Sequence, residues 1–357
     1  MKIFFILMFF FIIIAPFLYF LYIFKHLKYS HKIILSLITI LSLIIISVKI
    51  FIHPNHRLFF ILTLMTQFYM LTVLITMIFF AIYQGLLHLF HKLPKRKMLI
   101  IFGVVGMIIT SFGYATHYDK TKASYDIIIH KESSVSSLKI AAVSDMHIGT
   151  GTYLQDVQNF VKTINQEQYD FVFLIGDLFD ETTPDDIITD VMESLSHINT
   201  TYGIYAVNGN HEHYANIIDE SAYKEHNIEL LNENYVCVDD FINIVGREDV
   251  VVHESLPINE LTKGMDTTLP TIVLDHNPRR YQDVMDIADL QLSGHTHAGQ
   301  IFPMTLITAP LYDNVYGLLQ KNNFSLVVTS GYGSWGFPMR LLTNCEYLDI
   351  KITFSKK

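Results

Sequence analysis

Leu138-Lys139-Ile140-Ala141-Ala142-Val143-Ser144-Asp145-Met146-His147 is an apolar run that closes on an aspartate and a histidine two residues apart. In a β-strand residues i and i+2 share a face, so both side chains leave its carboxyl end together, where one loop can grip a metal ion. Alone, a D-x-H pair is more often a turn aspartate and a surface histidine than a metal site, because turns favour Asp. What alters the reading is repetition. Gly176-Asp177, with Asp180 three further on, follows the apolar run 171–175; Gly209-Asn210-His211-Glu212 follows 204–207; Asp275-His276-Asn277 follows 271–274; and Gly294-His295-Thr296-His297 follows 290–292. Singly, His276 reads as a turn residue before Asn277-Pro278, and Asn210 as a turn or cap. Five such clusters in strand-end order point to one metal site. Carboxylate, amide oxygen and imidazole suit Mn, Fe or Zn. Cys237 and Cys345 form no C-x-x-C pair, which argues against a structural zinc.

Further strand candidates lie at 125–129, 241–245 and 325–329. Helical spacing appears in Val157, Phe160, Val161 and Ile164, and again in Ile187, Ile188, Val191, Met192 and Leu195. Strands alternating with helices predict an α/β sheet protein whose ligand-bearing loops lie beyond the carboxyl ends of the strands.

The composition breaks sharply near residue 118. Residues 1–118 hold ten Lys or Arg and no Asp or Glu, whereas 119–357 hold 15 basic and 34 acidic residues, a balance of 15 − 34 = −19. Four apolar runs, 3–24, 33–52, 58–87 and 98–118, each approach or exceed the roughly 18 to 20 residues that cross about 30 Å of hydrocarbon as a helix. The first is longer than a signal-peptide core, and Lys25, His26 and Lys28 follow it in place of a small-residue cleavage site. Lys25, Lys28 and Lys32 lie between runs one and two, and Lys92, Lys95, Arg96 and Lys97 between runs three and four. The positive-inside rule places both loops in the cytoplasm and the acidic part on the extracytoplasmic face. The runs contain no carboxylate of the kind proton relays use, so anchoring is their expected role.

The ordered set D-x-H, G-D-x-x-D, G-N-H-E, H-N-P and G-H-T-H resembles the calcineurin-like metallophosphoesterase superfamily over about 138–352. Gly203-Ile204-Tyr205-Ala206-Val207, His297-Ala298-Gly299-Gln300, and Gly331-Tyr332-Gly333-Ser334-Trp335-Gly336 with Pro338 and Arg340 resemble its membrane-associated bacterial branch. The implied fold is two β-sheets flanked by helices, preceded by an all-α four-helix transmembrane segment. The domains would be 1–118, a juxtamembrane connection 119–137, and a metallophosphoesterase domain 138–357. Carried over, the resemblance implies two divalent metals about 3.5 to 4 Å apart, Mn favoured and Fe or Zn as alternatives. Asp145, His147 and His297 would hold one, and Asn210, His276 and His295 the other, with Asp177 bridging. His211 would be catalytic, donating a proton or stabilising phosphoryl charge, with Asp180 supporting a metal ligand or His211; Asp275, a further supporting candidate beside a ligand, would either strengthen cation binding or hinder an anionic substrate. Two departures stand out: Asp275 where an uncharged residue is commoner, and Glu212 where Asp is.

The expected activity is hydrolysis of a phosphodiester, pyrophosphate or phosphomonoester by a metal-bound hydroxide. A competing expectation is a catalytically silent membrane receptor or scaffold that binds metal and phosphate. Nearness to a bilayer makes a lipid-linked ester a reasonable substrate, and the apolar insert 301–311 is either a lipid-facing lip or an ordinary buried loop. At −19 the acidic part lacks the basic surface that draws in a nucleic acid.

Overall fold

The computed structural model describes residues 44, 57–87, 95–149, 151–181, 183–215, 220–251 and 256–355. The chain divides into two compact units, Met1–Tyr114 and Ala115–Lys357. The apolar runs 3–24 and, apart from residue 44, 33–52, together with most of the basic residues that set the expected orientation, lie outside the described residues. The third and fourth runs are helices α1 (Arg57–Leu87) and α2 (Lys95–Tyr118). They pack through Thr72 and Thr110, whose hydroxyls hydrogen-bond at 3.2 Å, and through Phe79 and Tyr83 on Phe102. Small and hydroxylated side chains at such a contact let helix backbones approach closely in an apolar medium. Among the described residues one helix segment, Ile100–Tyr118, is long and apolar enough to cross a membrane; the apolar stretch Leu62–Thr76 of α1 is shorter.

The second unit contains two six-stranded mixed sheets. The first runs β1 (Lys120–Ile129), β12 (Cys345–Phe354), β2 (Ser137–Val143), β3 (Phe171–Ile175), β4 (Ile204–Val207) and β5 (Ile228–Leu230), in that spatial order. The second runs β10 (Gly317–Lys321), β11 (Phe324–Val328), β9 (Leu290–Ser293), β8 (Thr271–Asp275), β7 (Ile242–Arg247) and β6 (Asn234–Val238). β2 to β5 are parallel, as are β7, β8, β9 and β11. Residues 119–137, read from sequence as a connection with a short strand, carry the ten-residue β1 paired in parallel with β12 from Lys120–Cys345 to Ile129–Phe354.

The alternation inside β3 explains the layering. Phe171, Phe173 and Ile175 join Ile244, Ile272, Leu274 and Leu292 in a core between the sheets. Val172 and Leu174 face the other way, onto α3 (Leu154–Glu167) and α4 (Asp185–Ser196) through Val157, Phe160, Ile164, Val191 and Leu195. A strand buried on both faces reads as an unbroken apolar run, which is how β3 reads. A smaller cluster, including Val273, Tyr281 and Leu326, covers the outer face of the second sheet.

Phe173 is fully buried between the sheets beside Phe171 and Tyr205. Phe173→Ala is expected to cost about 3–5 kcal/mol of unfolding free energy, through lost apolar transfer and the cavity left behind. Chemical denaturation followed by near-UV dichroism measures it.

Candidate metal centre

The chemistry-bearing residues leave the carboxyl ends of strands from both sheets. Asp145 and His147 follow β2, Asp177 and Asp180 follow β3, and Asn210 and His211 open the helical turn Asn210–Ala215 after β4. His276 follows β8, and His295 and His297 follow β9. The loops after β2 and β3 continue the ladder: Asp145 N donates to Gly176 O at 3.0 Å, and His147 N to Asp177 O at 3.1 Å. His276 ties the sheets together by donating from Nδ1 to Ile175 O at 2.7 Å.

Five of these residues adopt left-handed backbone: Asp145 (φ 54°), His147 (47°), Asp177 (53°), His295 (68°) and His297 (51°). Side chains other than glycine rarely go there, and such strain concentrates where function needs a side chain re-aimed. Two glycines make the crowding possible. A Cβ on Gly209 would lie 2.2 Å from Asp177 Oδ1, and one on Gly294 would lie 2.0 Å from Ser144 Oγ.

Two groups of donor atoms converge, Asp145 with His147 and His297, and Asp177 with His276 and His295, each within 4.8 Å. His147 Nε2 faces His297 Nε2 at 3.0 Å, and His297 Nε2 lies 3.3 Å from Asp145 Oδ1. Two imidazole nitrogens so close to a carboxylate are an arrangement that a shared cation satisfies. In the second group His276 Nε2 lies 3.0 Å from Asp177 Oδ2, yet is not aligned for a hydrogen bond. With Nδ1 protonated toward Ile175, Nε2 carries the free lone pair, the tautomer a metal-binding histidine needs. Asn210 Oδ1 is also buried without a hydrogen-bond partner. Buried polar atoms are nearly always paired, so these orphans fit a cation site.

The electrostatics divide the histidines: burial would lower His276, but Asp177, Asp145 and Asp249 raise it well above the usual range, a positive charge that a cation at the same carboxylates would replace. Burial lowers the His297 imidazole, and His147 and Arg340 beside it lower it further; burial and His276 lower His295. Both are thereby held neutral, as metal ligation requires. Burial alone would raise Asp177, but His276, His211 and His147 hold its carboxyl well below the usual range.

Residues 138–299 match the calcineurin-like phosphoesterase family model. The second unit carries a calcineurin-like phosphoesterase domain. The chain is 31% identical to an uncharacterized metallophosphoesterase of Helicobacter pylori over 63% of its own length and 62% of the relative's. It is 26% identical to a transmembrane protein with metallophosphoesterase domain from Danio rerio, over 80% and 72% of the two chains. An uncharacterized metallophosphoesterase of Aquifex aeolicus matches at 26% over 70% of this chain and 97% of its own. Relatives thus come from bacterial and vertebrate sources alike.

Within the phosphoesterase domain Asp180 accepts from His147 Nδ1 at 2.7 Å and lies 3.5 Å from His211 Nδ1. It therefore orients a member of the cation cluster and faces His211 as well. Asp275 falls outside the cluster. Its carboxylate is fully buried and pairs with Arg247 at 3.3 Å, and burial raises it to about 7 despite that arginine. His211 sits at the edge, its Nδ1 3.2 Å from Glu181 and its ring near Tyr214 and Trp335. Burial would lower it, but Glu181, Asp177 and Asp180 raise it to about 9.

Sequence reasoning assigned no site role to Glu181, Asp249, Arg340 or Glu212. Asp249 is buried 3.8 Å from His295 Nδ1, with Oδ2 unpaired; no motif marks it. Arg340 is buried and donates to the carbonyls of His297, Ser330 and Gly333. Glu212 stood inside G-N-H-E, and the structure shows its task. Its carboxylate accepts four backbone N–H groups, from Asp177 (2.8 Å), Leu178 (2.6 Å), Phe179 (3.1 Å) and Gly209 (2.8 Å). It fixes the loop that carries Asp177. Glu212→Gln turns an acceptor into a donor facing these N–H groups, and should destabilise the domain by about 2–4 kcal/mol. Thermal unfolding of Glu212→Gln beside wild type tests this.

Proposed function

We propose that this chain is a membrane-anchored, metal-dependent phosphoesterase. The observation that carries the reading is the convergence of Asp145, His147 and His297 with Asp177, His276 and His295, with His211 at their edge. Asp145, His147 and His297 would hold one divalent cation, Asn210, His276 and His295 a second, and Asp177 would lie between them. Such cations supply Lewis acidity toward a phosphoryl oxygen and a nucleophile available at neutral pH. The carboxylates of Glu181 and Asp180 face His211 Nδ1 at 3.2 and 3.5 Å as charge partners, not as aligned hydrogen-bond acceptors, and favour an imidazolium that can donate a proton to the leaving oxygen or to a phosphoryl oxygen. Trp335 and Tyr214 place aromatic rings beside it. The apolar helix segment Ile100–Tyr118 supports anchoring, and the basic residues Lys95, Arg96 and Lys97 ahead of it favour an extracytoplasmic domain by the positive-inside rule.

The test uses the purified full chain, stripped of metal and reloaded with Mn²⁺, on an aryl phosphodiester and an aryl phosphomonoester. The expected result is turnover that chelation removes and Mn²⁺ restores. Two bound metal equivalents with no turnover of either ester would make the protein a binder instead.

A further inference from the structure

The segment 301–311 follows the His297–Gly299 turn directly and contains no charged residue. Its short helix Met304–Thr308 buries no residue. Leu306 is 65% exposed, Leu311 61% and, on the neighbouring loop, Leu342 74%, with Phe302 and Ile307 exposed beside them. An ordinary loop packed on the sheet would have hidden these side chains. The patch is rigidly mounted: Phe302 N donates to Leu341 O at 3.1 Å, Leu341 N donates to Gln300 O at 3.2 Å, and Gln300 exchanges hydrogen bonds with Trp335. A contiguous exposed apolar patch marks an interaction surface.

Three observations identify its occupant. The apolar helix ends at Tyr118 and β1 begins at Lys120, so the sequence provides no spacer that would let the domain drift from a bilayer. His117, at that junction and within the same unit as the patch, is buried with its ring nitrogens 2.8 Å from Ser334 Oγ and 3.0 Å from Gly151 O. Ser334 neighbours Trp335, so the point where the chain enters the domain and the stem of the patch share one loop. Charge completes the case. In a region of −19, no position from 290 to 312 carries a carboxylate or a fixed cation, so no formal charge within the stretch has to be desolvated when it meets a lipid surface.

We infer that Phe302, Leu306, Ile307, Leu311 and Leu342 form a membrane-docking surface that seats the mouth of the metal centre on the lipid interface. The inserted groups are aliphatic and aromatic, so contact depends on apolar burial and not on headgroup charge. The cluster at His297 then opens toward the interface, where phosphoesters of lipids lie. The anchoring part of the proposed function underlies this inference; catalysis does not.

The test therefore reads position, not activity. In a Cys237→Ser background, where the other cysteine, Cys345, is buried, a spin label is attached through Leu306→Cys, and separately through Leu311→Cys. The full chain is placed in nanodiscs of phosphatidylcholine and phosphatidylglycerol. Both labels should collide readily with oxygen and poorly with a water-soluble nickel chelate, unchanged at high salt. A label through the exposed Glu193→Cys should show the reverse. Free collision of the 306 and 311 labels with the chelate would overturn the inference. So would shielding from both reagents, the signature of a protein partner or second copy, or loss of oxygen contact at high salt. Failure of ester hydrolysis in the same preparation would bear on the proposed function and leave this result intact.

Discussion

Asp177→Asn is expected to lower kcat/KM by at least about 10³-fold, about 4 kcal/mol of lost transition-state stabilisation. The substitution keeps the shape of the side chain and the acceptor for His211 N, which Asp177 Oδ1 now holds at 2.8 Å. What it removes is negative charge between two sites that would each hold a dication. Repulsion between the cations would then be unscreened in a buried site, where charges interact far more strongly than in water. Elemental analysis should fall from two metal equivalents to one or fewer, while far-UV dichroism stays as in wild type. Two retained equivalents with activity within tenfold of wild type would mean that Asp177 does not stand between the metals.

His211→Ala should behave differently. A positioned proton donor contributes roughly 10²–10⁴-fold, so turnover should fall by that order with metal content unchanged. The loss should be larger for an ester with an alkyl leaving group than for one releasing nitrophenolate, because the poorer leaving group depends more on protonation. His211 also lies within 4.8 Å of His147 and Asp177, which leaves a ligand role as the rival assignment. Loss of a metal equivalent in His211→Ala, with an equal rate drop for both esters, would favour the ligand role.

The cluster was legible in sequence because each member sits directly after an apolar strand, and strand ends in α/β sheets are where loops converge. β2, β3, β4, β8 and β9 read cleanly as apolar runs for the same reason: they are buried. β5 and β10 did not. Ile228–Leu230 is three residues long, and Gly317–Lys321 is an exposed edge strand with no buried residue. β12 alternates only from Tyr347 onward and is charged at Glu346, Asp349 and Lys351. The supporting residues were hidden for another reason. Glu181, Asp249 and Arg340 reach the site from separate loops, and a side chain's partner across space leaves no local pattern. Glu212 was visible as a motif letter, but not its four backbone donors.

The spatial order of the first sheet differs from the order in which its strands are made. β12 lies between β1 and β2, and its partners on β1 are 225 positions earlier in the chain, as with Ser124 and Asp349. A ribosome therefore releases every residue of the metal cluster, His297 included, before the strand that joins β1 to its sheet exists. Through that interval β2 presents an open edge, and β1, whose one sheet neighbour among the described residues is β12, has nothing to pair with. Nascent chains of this protein are thus most exposed to mispairing and to holdase chaperones late in translation, when most of the catalytic apparatus is already outside the ribosome.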